Sequence, residues 1–529
     1  MFTLSNRAGE TSPPLGCPFH EPTSATQSDN EASTAQTGHH KSYADMPGPK
    51  GLPGIGNALA YSRFGNHKFE KILDSRLSYM RKYGKVYREK LGHMEMVHIF
   101  DPSDIATMFR EEGDHPSRGK IAHVELTYLK RSKKFISFAY IDGAEWARQR
   151  AAIQRLMMHP TAATRYINWQ TPVAQDFVQY IDENRNEEGI IPNLYEDLFK
   201  YTMESIAAVC FGDRIGVFDK NPESMKDADI LSNSITENNK VFRNCMFSFP
   251  WYQYFRTPLY KRYEKVADQM KAWVKLGEKI QLILIYDFYN RIMGKHVDRC
   301  SNKIEARGLR TGPDVVNPFG GVFEPNIEIE DRSTGNSLAF FLYNLAANPE
   351  KQEVLYREIE NVLPNKQQPT AKTFKNMPYL KAALKESFRL NFPVYGGSGR
   401  VMPQDTVFGN YVVPKGVFIF ANIAAMGRME EHFPEPAKYH PERWLRGENA
   451  SMGATWKEDS GFLSLPFSHG LRACPGKRYA EQGLYLAAIA ILQNFKLSYD
   501  KPEPVEMLHL PFTIPDRPLD ITFTQRTSC

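Results

Sequence analysis

Phe467-Ser468-His469-Gly470-Leu471-Arg472-Ala473-Cys474-Pro475-Gly476 is a cysteine-centred loop that runs straight into a helical pattern. Beyond it, Ala480, Leu484, Ala487, Ala488 and Ile491 recur at three- and four-residue spacing, which predicts a long helix with one apolar face. A cysteine just ahead of a helix start has its thiolate favoured by free N–H groups and by the helix dipole. Gly470 and Gly476 let the backbone approach a bulky planar partner. Arg472 sets a fixed cation beside them, suited to a carboxylate, and Phe467 can shield the sulfur. An isolated cysteine in a Gly-rich turn is usually inert packing. Phenylalanine, two glycines, arginine and cysteine in one register point to chemistry instead.

The rest of the chain bounds what that chemistry serves. Its 529 residues are 42% hydrophobic and 12% aromatic with a net charge of +5. This is the composition of an ordinary globular protein, too mildly basic to imply nucleic acid. Cysteines 17, 210, 245, 300, 474 and 529 sit at no zinc or redox spacing. They are too sparse for a disulfide framework, so a reducing compartment is expected. No run of about 18 apolar residues predicts a transmembrane helix. Residues 1–45 are rich in Ser, Thr, Pro and Gly and are expected to be disordered. As a presequence this segment is poor, because Glu10, Glu21, Asp29 and Glu31 dilute Arg7 and Lys41.

Order is expected from Met46, with a hairpin over 85–100 turning at Gly92-His93. A mostly helical pattern follows from 103 to 390, exemplified by Leu338, Phe341, Leu342 and Leu345. Strand-like pieces return at 408–420 and 509–525. There are no repeats. The predicted fold is mainly α with small β-sheets, one large domain over 46–529.

Three further groupings stand out. Glu386 and Arg389 share a helical face beside the apolar stripe Leu380, Ala383, Leu384 and Phe388; such pairs are usually solvated and worth little. Trp146 and Arg150 sit one turn apart, again ordinarily a surface pair. Residues 242–263 interleave nine aromatics with Arg243, Arg256, Lys261 and Arg262. Interfacial membrane contact and plain core packing fit that segment equally well.

The 467–476 loop resembles the heme-binding loop of the cytochrome P-450 superfamily, and the resemblance covers residues 46 to 529. It implies that Cys474 is the thiolate ligand of heme b iron, pushing electron density toward O–O cleavage. It implies that Trp146, Arg150, Arg400 and Arg472 meet the cofactor's carboxylates, that Phe467 lies by the sulfur, and that Glu386, Arg389 and Arg443 form a buried network holding the Cys loop. Within the superfamily the chain looks most like the mitochondrial clan. That likeness rests on Lys85-Val-Tyr-Arg-Glu-Lys-Leu-Gly92, Asp101-Pro-Ser-Asp-Ile105, Phe109-Arg-Glu-Glu-Gly113, Pro441-Glu-Arg-Trp-Leu445 and Arg478-Tyr-Ala-Glu481. It implies a monooxygenase of sterol- or steroid-like substrates on the matrix side of the inner mitochondrial membrane, with a pocket shaped partly by 509–517. It also implies electrons from a small acidic ferredoxin of adrenodoxin type, docking at Lys381 and Lys385 with Lys477 and Arg478 beside them.

The resemblance fails at one place. The family's oxygen-side helix should carry a small residue, Gly, any residue, an acid and Thr. In register with Leu338–Tyr343 that pattern falls on Ile329-Glu330-Asp331-Arg332-Ser333-Thr334. Glu330 replaces the glycine and Arg332 the acid, and arginine cannot give up its proton in a protein. Ser333 or Thr334 is left as the hydroxyl of any relay. Prolines and glycines at 308–326 predict a break in the helix just upstream. A sequence error, an altered enzyme and an inactive heme scaffold all remain open. So does an electron-independent isomerase or dehydratase, which needs no acid–alcohol relay.

Overall fold

The computed structural model describes residues 40–119, 123–133, 141–211, 250–269 and 320–526, apart from 63, 93, 395–396, 446–459 and 510–511, together with scattered residues between 214 and 245. Side chains of 320–332 also lie outside the described residues, as does the predicted disorder of 1–39. The first pairing precedes Met46: the Lys41 N–H donates to Asn410 O, and Tyr43–Asp45 form a single helical turn.

Helix α1 (Ile72–Tyr83) leads into the predicted hairpin, β1 (Val86–Leu91) and β2 (Met94–Ile99), paired from Val86↔Ile99 to Leu91↔Met94. Helices α2 (Pro102–Arg110), α3 (His123–Arg131), α4 (Gly143–Met157), α5 (Ile167–Asn184) and α6 (Leu194–Phe211) follow. After the undescribed stretch come α7 (Gly320–Ala347), α8 (Pro349–Val362) and α9 (Pro378–Leu390). Strands β3 (Ser398–Val401), β4 (Thr406–Phe408), β5 (Tyr411–Val413) and β6 (Phe418–Ala421) precede the last helix, α10 (Lys477–Asn494). Strands β7 (Phe495–Ser498), β8 (Met507–His509), β9 (Thr513–Pro515) and β10 (Thr522–Gln525) close the chain.

The largest sheet has the order β1-β2-β6-β3, with β6 parallel to β2 and antiparallel to β3. It ties residues 86–99 to residues 398–421 and fixes where Arg400 emerges. β7 pairs with β10, β4 with β5, and β8 with β9. One core lies among α5 to α10, where Phe177, Leu198, Phe341, Leu342, Leu384, Ala487 and Ile491 are fully or nearly fully buried. A second lies around the hairpin, with Phe100, Ile105, Phe408 and Ile419. The described helices outweigh the short strands, as the mainly-α pattern predicts.

Two expectations are corrected. α10 is not buried on one face only: Tyr479, Gln482, Leu486, Ile489 and Leu492 are buried as well as Leu484, Ala487, Ala488 and Ile491. Its small residues let neighbours approach on several sides. The predicted break at 308–326 does not end the long helix at Thr334, because α7 begins at Gly320 and runs through Pro325. Packing of Leu338–Leu345 anchors the helix from its C-terminal half, and tertiary packing outweighs local propensity. Residues 308–319 lie outside the described residues.

Candidate functional site

The Cys474 loop is closed by its own backbone. Cys474 N–H donates to Phe467 O at 2.9 Å, and Ala473 N–H to Gly470 O at 3.1 Å. Ser468 and Gly470 both take left-handed conformations, φ +61° and +73°. At Gly470 a glycine is required twice over: a Cβ there would meet Glu112 Oε1 at 2.2 Å. Three residues after the cysteine α10 begins, so the sulfur stands at a helix start as the sequence predicts. Phe467 meets Phe388 of α9 edge to face at 5.4 Å between centroids.

Guanidinium groups from four places converge on this loop. Arg400 of β3 donates to His469 O at 3.2 Å and to Glu112 Oε2. Arg118, from the segment after α2, donates to Arg472 O. Arg150 of α4 donates to Ala473 O at 2.7 Å. Arg472 itself reaches out, donating to Pro116 O at 2.7 Å, Ile141 O at 2.9 Å and the Asp142 carboxylate. Trp146 lies flat under it, the Arg472 Cζ 4.1 Å from the ring centroid. Thus Trp146, Arg150, Arg400, Phe467, Arg472 and Cys474, distant in sequence, are brought together.

Cations crowd this loop. Among the described residues, Glu112 pairs with Arg400 and Asp142 with Arg472, and Arg118 and Arg150 add two more guanidiniums close by. The strain is visible in proton affinity: burial, then Arg400, pushes Arg118 down to about 10, while Cys474 pulls the other way. Burial, then Arg118, pushes Arg472 down to about 9. A cluster like this is stable when a dianion enters it. A porphyrin with two carboxylates, its iron taken by the cysteine, fits both the donor set and the charge.

The sequence profile of the cytochrome P-450 family matches residues 46–292 and 332–523. The chain is a cytochrome P-450. It is 32% identical over 503 residues, 92% of this chain and 90% of the relative, to the mitochondrial 1,25-dihydroxyvitamin D(3) 24-hydroxylase of Mus musculus. It is 29% identical over 511 residues, 93% of this chain and 91% of the relative, to the mitochondrial cholesterol side-chain cleavage enzyme of Bos taurus. Members of the family are monooxygenases that bind thiolate-ligated heme iron. The unmatched gap, 293–331, ends within the stretch in which the oxygen-side pattern is missing: Ile329, Glu330 and Asp331 fall in the gap, and Arg332, Ser333 and Thr334 are matched.

Elsewhere in this cytochrome P-450, the Glu386 carboxylate is fully buried and accepts five hydrogen bonds: from Arg389 twice (2.7 and 2.9 Å), His440 N–H (2.9 Å), Arg443 (3.2 Å) and Trp444 Nε1 (2.9 Å). Arg389 spends its remaining donors on Gly427 O, Pro436 O and Lys438 O. The network clamps α9 to residues 427–444. Its route to the Cys loop is the Phe388–Phe467 contact, one residue from Arg389.

Lys385, Lys477 and Arg478 are exposed and Lys381 is partly so. All four act on Glu481: burial raises that carboxyl's proton affinity and the four cations lower it. They therefore surround one point beside the Cys loop. Ser333 and Thr334 are half-buried on α7, apart from the guanidinium cluster. Segment 242–263 divides between its two readings. Cys245, Tyr252, Tyr260 and Tyr263 are core, while Trp251, Tyr254 and Phe255 are 52%, 74% and 55% exposed.

Sequence reasoning missed Arg118, Glu112 and Asp142. Glu112 lies inside the quoted Phe109–Gly113 passage, but neither spacing nor composition links it to Arg400, 288 residues away.

Proposed function

We propose that this cytochrome P-450 inserts one oxygen atom from dioxygen into a hydrophobic, steroid-like substrate, with Cys474 as the thiolate that would bind its heme iron. The convergence of four guanidiniums on the Cys474 loop carries this reading. Arg118, Arg150, Arg400 and Arg472 would hold the two propionates, with Trp146 backing Arg472. Heme, when bound, supplies the iron at which dioxygen is activated. Phe467 and the loop backbone hold the sulfur at the start of α10, where the helix dipole favours its thiolate form. On the oxygen side, Ser333 or Thr334 holds and passes a proton.

The relatives' names, a vitamin D hydroxylase and a cholesterol side-chain cleavage enzyme, support a sterol-derived substrate. The β8–β9 hairpin would wall its pocket: Thr513 N–H donates to Pro393 O, and Phe512 bridges Val394. Both relatives are mitochondrial by name, which supports a mitochondrial location here. Exposed Trp251, Tyr254 and Phe255 beside Arg256, Lys261 and Arg262 suit contact with the matrix face of the inner membrane. No described helix is long and apolar enough to cross it. An adrenodoxin-type ferredoxin would dock at Lys381, Lys385, Lys477 and Arg478.

A second reading, an electron-independent isomerase or dehydratase or an oxygen-impaired heme protein, is favoured by one observation, the gap in the family match at 293–331. Cys474→Ser separates ligand from bystander. The native protein, reduced under carbon monoxide, should show the red-shifted band of thiolate ligation, and the variant should lose it. Retention of that band in Cys474→Ser refutes the assignment. Ferredoxin-dependent formation of a hydroxylated steroid decides between the two functional readings.

A further inference from the structure

The basic face has an apolar flank that the lysines alone do not explain. Trp169, in the first turn of α5, is 40% exposed. A chain of ring contacts links it to the first turn of α10. Trp169 meets Tyr166 edge to face at 6.0 Å, and Tyr166 meets Tyr479 at 5.7 Å. Tyr479 follows Arg478 in α10. The neighbouring Gln170 accepts from Gln482 of α10 at 2.7 Å, one helical turn beyond Arg478. Arg165, also exposed, lies in the same turn as Tyr166. The start of α5 thus packs against the start of α10, which places the exposed Trp169 and Arg165 on the element next to the one that carries Lys477 and Arg478.

We infer that Trp169 is the apolar anchor of the electron-partner interface, with Arg165 extending its basic rim onto α5. This rests on the ferredoxin reading above. The partner is a small acidic ferredoxin, whose charge complements Lys381, Lys385, Lys477, Arg478 and Arg165. Charges at a rim steer encounter and are screened by salt. A large aromatic desolvated inside the rim sets the dissociation rate and is insensitive to salt. Tryptophan suits that task because its indole buries a large rigid area.

The two contributions separate by ionic strength. Binding of an adrenodoxin-type ferredoxin to the heme-loaded protein is measured at about 0.02 M and about 0.3 M salt. Trp169→Ala should weaken it roughly tenfold at both, and Trp169→Phe should restore most of the loss. Lys381→Glu with Lys385→Glu should weaken it strongly at low salt, with the loss shrinking at high salt. Heme content and the carbon monoxide spectrum of each variant should match the parent, since the side chains are exposed. If charge reversal weakens binding but Trp169→Ala leaves it unchanged at both salts, the anchor assignment is wrong and the lysine face stands. If neither set weakens binding, the ferredoxin reading falls and the anchor with it.

Discussion

Removing the Glu386 carboxylate should leave two guanidiniums, Arg389 and Arg443, buried without their anion. Both partners in the Arg389–Glu386 pair have no exposed side-chain surface, and Arg443 is 4% exposed. Breaking a buried ion network by deleting one partner costs about 3–5 kcal/mol, or about two to three and a half powers of ten in the folded-to-unfolded ratio. Glu386→Ala also orphans Trp444 Nε1 and His440 N–H, which places it toward the upper end. The expected outcome is little heme-loaded protein, read from the ratio of heme absorbance to protein, and much faster loss of the native spectrum in urea. Glu386→Ala with Arg389→Ala together should cost less than the sum of the single variants, because the second change removes a charge already stranded. Arg148→Ala is the control. It breaks another Glu–Arg pair at the same three-residue spacing, Glu145–Arg148, whose side chains are 51% and 73% exposed. That variant should match the parent. Parental heme content and urea resistance in Glu386→Ala would refute the network's role.

Two further outcomes follow from single positions. Gly470→Ala should abolish heme incorporation, because its Cβ meets Glu112 Oε1 at 2.2 Å and its φ of +73° disfavours a side chain; normal incorporation would show that the loop and Glu112 move apart freely. Asp197 is 3% exposed, and burial, opposed by Lys200, pushes its carboxyl up to about 6. Between its ordinary value near ~4 and that raised value, the folded state holds a proton that the unfolded chain gives up, so stability from this group falls as pH rises through the window. Asp197→Asn should flatten that slope and gain stability at neutral pH, checked by unfolding midpoints from pH 4 to pH 7; parallel profiles for the two proteins would contradict it.

The loop around Cys474 was legible because its information is local. Cysteine, glycines and the helix start lie within ten residues, and the structure arranges them as their spacing implies. The charge cluster was only half legible. Arg472 was read from the loop itself, Arg150 and Arg400 took their role from resemblance, and Arg118, Glu112 and Asp142 entered only when α2, α4, β3 and the loop met in space. Glu145–Arg148 and Glu386–Arg389 show the limit most plainly. Both are acid and arginine at i and i+3 on a helix, and nothing in the spacing says which is buried. Burial of Glu386 is decided by residues 427–444, which bring His440 N–H, Arg443 and Trp444 to it and backbone carbonyls to Arg389. The four cations around Glu481 are similar: two helices supply them, and only the fold brings them near one carboxyl.

On the oxygen side, the structure constrains register where the sequence pattern does not. Gly335 approaches α6 so closely that a Cβ there would lie 3.2 Å from Thr202 Oγ1 and 3.4 Å from the Phe199 Cα. The next residue, Asn336, accepts from Tyr195 OH at 2.6 Å, and Ser337 Oγ donates to Ser333 O at 2.6 Å. A slip of one residue would rotate α7 by about 100° and drive the Asn336 side chain into Thr202 and Phe199. The hydroxyls of Ser333 and Thr334 therefore cannot be exchanged for a neighbour's by sliding the helix. A relay built on Ser333 or Thr334 would use them in the orientation that Gly335 fixes. The proximal half is built independently of that choice. Its cysteine, guanidiniums and buried Glu386 network come from the segment after α2, α4, α9, β3 and the Cys474 loop, so heme binding should survive changes at 329–334 that abolish turnover.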